Sequence, residues 1–122
     1  MNGSHFTADC YNCSADLSDL KLITETCERA IKTNGLTIVG NSWVKFPDWN
    51  NQPGGVTGAL VLAESHLAIH TWPETGNVTI DVYVCNFTTD NSCHAKAALD
   101  FVIATLNPEK TIFNTIERGS IR

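Results

Sequence analysis

The stretch from Val56 to Glu74 constrains this chain more than any other. Its first part is apolar, with Ala59, Leu60, Val61, Leu62 and Ala63 in succession, the pattern of a strand buried on both faces or leading into a core. Polar residues then arrive abruptly: Glu64, Ser65, His66 and, after Leu67, Ala68 and Ile69, His70. Read as one strand from Val56 to Thr71, a period of two sets Ser65, Leu67, Ile69 and Thr71 on one face and His66, Ala68 and His70 on the other. Pro73 then ends it. Two imidazoles and a hydroxyl are thereby held on a stiff element.

The flanks supply the layers such a strand needs. Phe6, Ala8 and Cys10 alternate against His5, Thr7 and Asp9, which predicts a strand over 3–11. From Asp16 to Asn34 the apolar residues Leu20, Ile23, Cys27, Ala30 and Ile31 recur at helical spacing. Ser18 is the expected cap and Asn34-Gly35 the stop. Leu36 to Phe46 reads as a strand, and Pro47 to Gly55 as a loop. After the turn Thr75-Gly76-Asn77, a strand from Val78 to Cys85 places Cys85 on the same face as Thr79, Asp81 and Tyr83. Asn91 or Ser92 is the expected cap of a second helix through Leu106 that Asn107-Pro108 ends, and a last strand covers Lys110 to Glu117. The expected fold is therefore α+β, a two-layer sandwich with two helices on one face of a mainly antiparallel sheet. Its other face is open, which favours pairing with a second copy.

A chain of 122 residues reads as a single domain, 1–122, able to bury roughly two-thirds of the surface of its unfolded form. The net charge of -5 and the scattered eight Lys and Arg argue against nucleic acid as a partner. No apolar run approaches the ~20 residues of a membrane span, and Met1 to Asp9 lacks the regions of a signal peptide, so a cytoplasmic protein with no membrane partner is expected. Five cysteines are an odd number for a disulfide framework, and any important one should act as a thiol.

Cys10 and Cys13, with His66 and His70, raise the question of a zinc site. Cys10 and Cys13 are expected on opposite faces of a strand and no second Cys-x-x-Cys follows, so no metal is expected. Cys10, Cys27 and Cys93 read as small buried hydrophobes. An acyl-transfer hydrolase would need Ser65 exposed at a sharp elbow, and the flanking sequence has no Gly-x-Ser-x-Gly. A serine in a strained strand has another reaction open to it. Its oxygen can attack the Glu64 carbonyl and turn the peptide bond into an ester, which is chemistry on the chain itself.

The run Glu64-Ser65-His66-Leu67-Ala68-Ile69-His70-Thr71-Trp72-Pro73-Glu74, followed by Ile80-Asp81-Val82-Tyr83-Val84-Cys85, resembles the prokaryotic S-adenosylmethionine decarboxylase family of pyruvoyl enzymes. Gly3 and His5 near the start, Trp43-Val44-Lys45-Phe46, and Gly55-Val56-Thr57-Gly58 extend the likeness over nearly the whole chain. The resemblance implies a proenzyme that cuts itself between Glu64 and Ser65, giving a β chain 1–64 and an α chain 65–122 whose first residue becomes a pyruvoyl group. It also implies His70 as the base that removes the α proton during processing, a hydroxyl at Thr57 assisting, and Cys85 as the proton donor after carbon dioxide leaves. Phe46 would stack on the adenine and Glu74 would bind the ribose. The expected product feeds spermidine synthesis, and the expected assembly is a dimer of cleaved protomers, sheet facing sheet with helices outside. A ketone-like carbonyl that condenses with a substrate amine accepts the electron pair released with carbon dioxide, as pyridoxal does.

Three departures bear on substrate: Thr57 where serine is common, Asn86 where glycine follows the cysteine, and the longer loop Asp48 to Pro53. Pyruvoyl decarboxylation of ornithine or arginine is the alternative, with Asp48 or Asp81 as the carboxylate for the distal cation. An unprocessed regulatory relative is a further alternative.

Overall fold

The computed structural model describes residues 2–87 and 89–119. In chain order the elements are β1 (Gly3–Tyr11), α1 (Leu20–Thr33), β2 (Ile38–Lys45), β3 (Val56–Leu62), β4 (Ser65–Trp72), β5 (Asn77–Cys85), α2 (Ser92–Leu106) and β6 (Lys110–Arg118). The strands form one sheet in the order β2-β3-β4-β5-β1-β6, with every neighbouring pair antiparallel.

Both helices pack against each other and over one face of this sheet, as the alternating patterns require. Phe6, Ala8 and Cys10 of β1, Leu67 and Ile69 of β4 and Val78, Ile80, Val82 and Val84 of β5 point into the layer between sheet and helices. Helix α1 answers with Ile23, Thr26, Cys27, Ala30 and Ile31, and α2 with Ala95, Ala98, Leu99, Val102 and Leu106, each set at three- and four-residue spacing. Each fully buried Leu, Ile or Val contributes about 1.5–3 kcal/mol, so trimming Leu67 at the centre to alanine costs about 2–5 kcal/mol. Gly58 of β3 lies beneath Trp43 of β2, where a Cβ would fall 2.0 Å from the indole ring. No other residue fits there without moving that ring.

Among the described residues the opposite face carries no helix. Val44, Val61, Trp72, Ile112 and Ile116 are exposed on it, together with the half-buried polar residues His5, Asp81 and Tyr83.

Four expectations change. The single strand over 56–71 is two strands joined at Ala63-Glu64, so the sheet has six strands rather than five. Ala63-Glu64 lacks the Asn-Gly or Gly signals that mark two-residue hairpins, which is why periodicity ran through it. Ser65 is consequently the first residue of β4, not a mid-strand hydroxyl. Helix α1 is capped by Asp19, whose side chain accepts from the Leu22 N–H at 3.1 Å, while Ser18 donates to Asp16 instead. Cys93 is exposed in the first turn of α2 and is no core residue.

Candidate active site

The residues singled out in the sequence fall into two groups, one at each end of β4. At the start of β4, Leu62 pairs with Ser65 across the two-residue connection Ala63-Glu64. The Ala63 N–H donates to the Thr37 carbonyl at 2.9 Å, tying the turn to the segment before β2. Glu64 is held at φ 71. The other described non-glycine residues with positive φ are Asn12, Asn50, Asn51 and Asn107, and asparagine tolerates that region where glutamate does not. The left-handed conformation costs Glu64 about 1–2 kcal/mol. That strain sits on the residue whose carbonyl Ser65 would attack, in a turn at the rim of the sheet.

On the neighbouring strand Ser65 pairs with Val84, so Cys85 stands one step further, level with the Glu64–Ser65 bond. The Cys85 carbonyl accepts from Asn91 Nδ2 at 3.2 Å. Asn86 secures the loop that follows: its N–H donates to the Asn2 carbonyl at 2.6 Å, its Nδ2 to the hydroxyls of Ser4 and Ser92, and its Oδ1 accepts from the Asn91 N–H. Asn86 has no positive φ, so the missing glycine costs nothing here.

Toward the far end of β4, Thr57 of β3 pairs with His70, and Thr57 Oγ1 is hydrogen-bonded to His70 Nδ1 at 3.2 Å. Both lie on the open face. They line a cavity of about 340 Å³ together with Phe46, Trp72 and Glu74. Thr71, on the other face, stiffens this end, because its hydroxyl accepts from the Val56 N–H at 2.8 Å and donates to the Leu17 carbonyl at 2.7 Å. A second cavity of about 280 Å³ adjoins the first through Glu74 and is lined by Trp49 and Pro53. Trp49 is 77% exposed on a tight turn whose ends, Trp49 and Gln52, exchange two backbone hydrogen bonds, with Asn50 and Asn51 both left-handed. An Asn-Asn pair flanked by such a bridge is the signal that locates this turn in sequence.

The two groups do not meet within one chain. Ser65 and His70 are five residues apart on one strand, about 16 Å at ~3.3 Å per residue, and their side chains alternate to opposite faces. The register sets Cys85 level with the Glu64–Ser65 bond, its side chain on the open face and that of Ser65 on the helix face, and it joins Thr57 with His70, Phe46 and Glu74.

The carboxylates considered for a basic amino acid are both engaged. Asp48 accepts from the Gly54 N–H at 3.1 Å with Lys45 at 3.9 Å, and Asp81 is bonded by His5 and His66. Burial pushes the Cys13 thiol up to about 11 and raises that of Cys10. The His5–His66–Asp81 cluster on the open face was not legible as a unit, because its members come from three strands.

Comparison with known proteins bears on the family and the fold. Residues 4–119 match the family model described as S-adenosylmethionine decarboxylase. The S-adenosylmethionine decarboxylase proenzyme of Aquifex aeolicus is 40% identical over 120 residues, covering 98% of this chain and 82% of that protein. The proenzyme of Picrophilus torridus is 40% identical over 119 residues, covering 97% and 85%. The crystal structure of the adenosylmethionine decarboxylase from Aquifex aeolicus superimposes with a TM-score of 0.85 at 37% identity, over 98% of this chain and 92% of that one. With the motif, the six-stranded sheet and the matched length all in agreement, this chain belongs to the S-adenosylmethionine decarboxylase family.

Proposed function

We propose that this chain is a self-processing proenzyme that becomes a pyruvoyl-dependent decarboxylase of S-adenosylmethionine, with each active site assembled from two copies. The observation that carries the reading is the left-handed Glu64 immediately before Ser65. Ser65 Oγ attacks the Glu64 carbonyl carbon; the C–N bond breaks, the nitrogen takes the proton, and an ester joins the two halves. Removal of the Ser65 α proton by a histidine then expels the Glu64 carboxylate. The dehydroalanine left behind tautomerises to an imine, and water replaces its nitrogen as ammonia. The products are chains 1–64 and 65–122, the second beginning with a pyruvoyl group. Relief of strain at Glu64 favours the first step.

The pyruvoyl group supplies an electron sink for the pair released with carbon dioxide. The surrounding residues fit that role. Cys85, level with the cut, delivers a proton to the carbon that loses carboxylate. Phe46, exposed beside the 340 Å³ cavity, offers a face for the adenine, and Glu74 offers a carboxylate for the ribose hydroxyls. Asp48 and Asp81, the carboxylates considered for the distal cation of ornithine or arginine, are both engaged, which supports the adenosyl substrate. The buried, unpaired Cys10 and Cys27 suit a reducing compartment, consistent with the cytoplasm.

His70 lies too far along β4 to reach Ser65 of its own chain, so the processing base comes from a second copy. The open face, with Val44, Val61, Trp72, Ile112 and Ile116 exposed, is the surface for that pairing. A two-fold axis near the middle of β4 brings the Ser65 end of one copy to the His70 end of the other.

Co-expression of Ser65→Ala and His70→Ala chains tests this. Each variant alone is expected to stay whole. In mixed dimers one site combines the intact Ser65 of the His70→Ala chain with the intact His70 of the Ser65→Ala chain, and His70→Ala chains alone appear as fragments by intact mass. Absence of fragments in the mixture overturns the shared site. Carbon dioxide release from S-adenosylmethionine, ornithine and arginine, measured side by side on cleaved wild type, tests the substrate, and release from an amino acid alone overturns it.

A further inference from the structure

Cutting the chain at Glu64–Ser65 turns the start of β4 into a chain end, and chain ends fray, with opening free energies near zero. The group on that end must nevertheless keep its distance from Cys85, since a displacement of 1 Å can cost ~10²-fold in rate. The backbone ladder to β5 begins only at Ser65–Val84 and His66–Tyr83. The side chain of the second residue supplies a further hold.

His66 Nε2 lies 3.2 Å from Asp81 Oδ2 on β5. The same oxygen is 2.8 Å from His5 Nε2 on β1, and Arg118 Nη1 on β6 is 3.0 Å from His5 Nδ1. A guanidinium only donates, so His5 Nδ1 carries no hydrogen and accepts from Arg118. In that arrangement the His5 ring proton sits on Nε2, directed at Asp81. Asp81 in turn accepts from both imidazoles. The line Arg118–His5–Asp81–His66 thus crosses β6, β1, β5 and β4 in sheet order. The Tyr83 ring packs beside both imidazoles, 5.5 Å from His5 and 5.7 Å from His66, with Arg118 over it at 5.4 Å.

These three groups also bring ligand-type atoms within 4.8 Å of one another, as a divalent cation would require. A metal on His5 Nε2 would drive the remaining ring proton to Nδ1, against the Arg118 guanidinium. The tautomer favours a hydrogen-bonded strut over an ion site.

We propose that His66 is a positioning residue: held by Asp81, and through it by His5 and Arg118, it keeps the new chain end and its carbonyl group in register on β5 after cleavage. This inference rests on cleavage before Ser65. The strut is redundant while the turn is intact and bears on the reaction only once the turn is cut.

The test compares His66→Ala and His66→Gln in cleaved protein and in the uncleavable Ser65→Ala background. His66→Ala is expected to cleave as wild type does but to lose about 10–100-fold in kcat for decarboxylation, with KM changed by less than ~3-fold. Glutamine, which restores a donor to Asp81, should recover most of the loss. Amide exchange at residues 66–68 should quicken in cleaved His66→Ala and stay unchanged in the uncut background. Should His66→Ala not fold, Asp81→Asn carries the same expectations. Unchanged kcat, or protection lost equally in cut and uncut protein, overturns the anchor alone. A wild-type chain that stays whole overturns the anchor together with the reading it rests on.

Discussion

At its start β4 emerges from a two-residue turn with a left-handed glutamate, and toward its end it carries His70 on a fully paired segment pinned by Thr71. The first region stores strain beside the bond proposed to be cut, in an exposed turn. The second stores none: Thr57 and His70 meet across an ordinary register pair, with an apolar core beneath them. The contrast separates two requirements of self-processing. The bond to be cut must be destabilised, while the base that acts on it must be positioned without distortion. In the proposed reading one strand serves both by keeping them about 16 Å apart, with a second copy closing the gap.

The largest test of this contrast is at the strained end. Ser65→Ala is expected to abolish cleavage and decarboxylation completely, leaving one species of 13.3 kDa by intact mass. Activity surviving that change would remove the strained turn from the mechanism. Next in size, Cys85→Ala should leave cleavage intact yet lower decarboxylation by about 10²–10³-fold, in the range for loss of a general acid. If fragments fail to form, Cys85 belongs to processing, and the roles of the two ends need redrawing. The smallest effect sharpens the strain argument itself. In the Ser65→Ala background, Glu64→Gly should raise stability by about 1 kcal/mol, read from the midpoint of thermal or denaturant unfolding, because glycine adopts positive φ freely. With Ser65 present the same change should slow cleavage several-fold in a timed gel assay; faster cleavage would show that strain at Glu64 is not used.

Much of this was legible in the chain. Alternation in 3–11 and 78–85 and the three- and four-residue spacing in both helices placed the layers, since each pattern demands one buried face. Asn107 before Pro108 and Gly35 after Asn34 marked the ends of both helices, and each is left-handed in the structure. Ala63-Glu64 was not legible as a turn, because its conformation is imposed against local preference by pairing on both sides. Cys93 misled because free cysteine is usually buried, whereas this one lies off the Ala95, Ala98, Leu99 and Val102 stripe of α2. Trp49 drew no notice because exposure beside a cavity is a property of the folded loop.

The residue order alone determined the two-layer arrangement and the chemistry-bearing motif, since periodicity and residue type are local quantities. Which of those residues meet was decided only by tertiary structure. Strand register set Cys85 level with the Glu64–Ser65 bond and His70 beside Thr57, kept Ser65 and His70 apart, and gathered His5, Asp81 and His66 from three strands. Cross-strand pairing is a long-range relation that no stretch of sequence contains by itself, and in this fold it divides the site between the two ends of one strand.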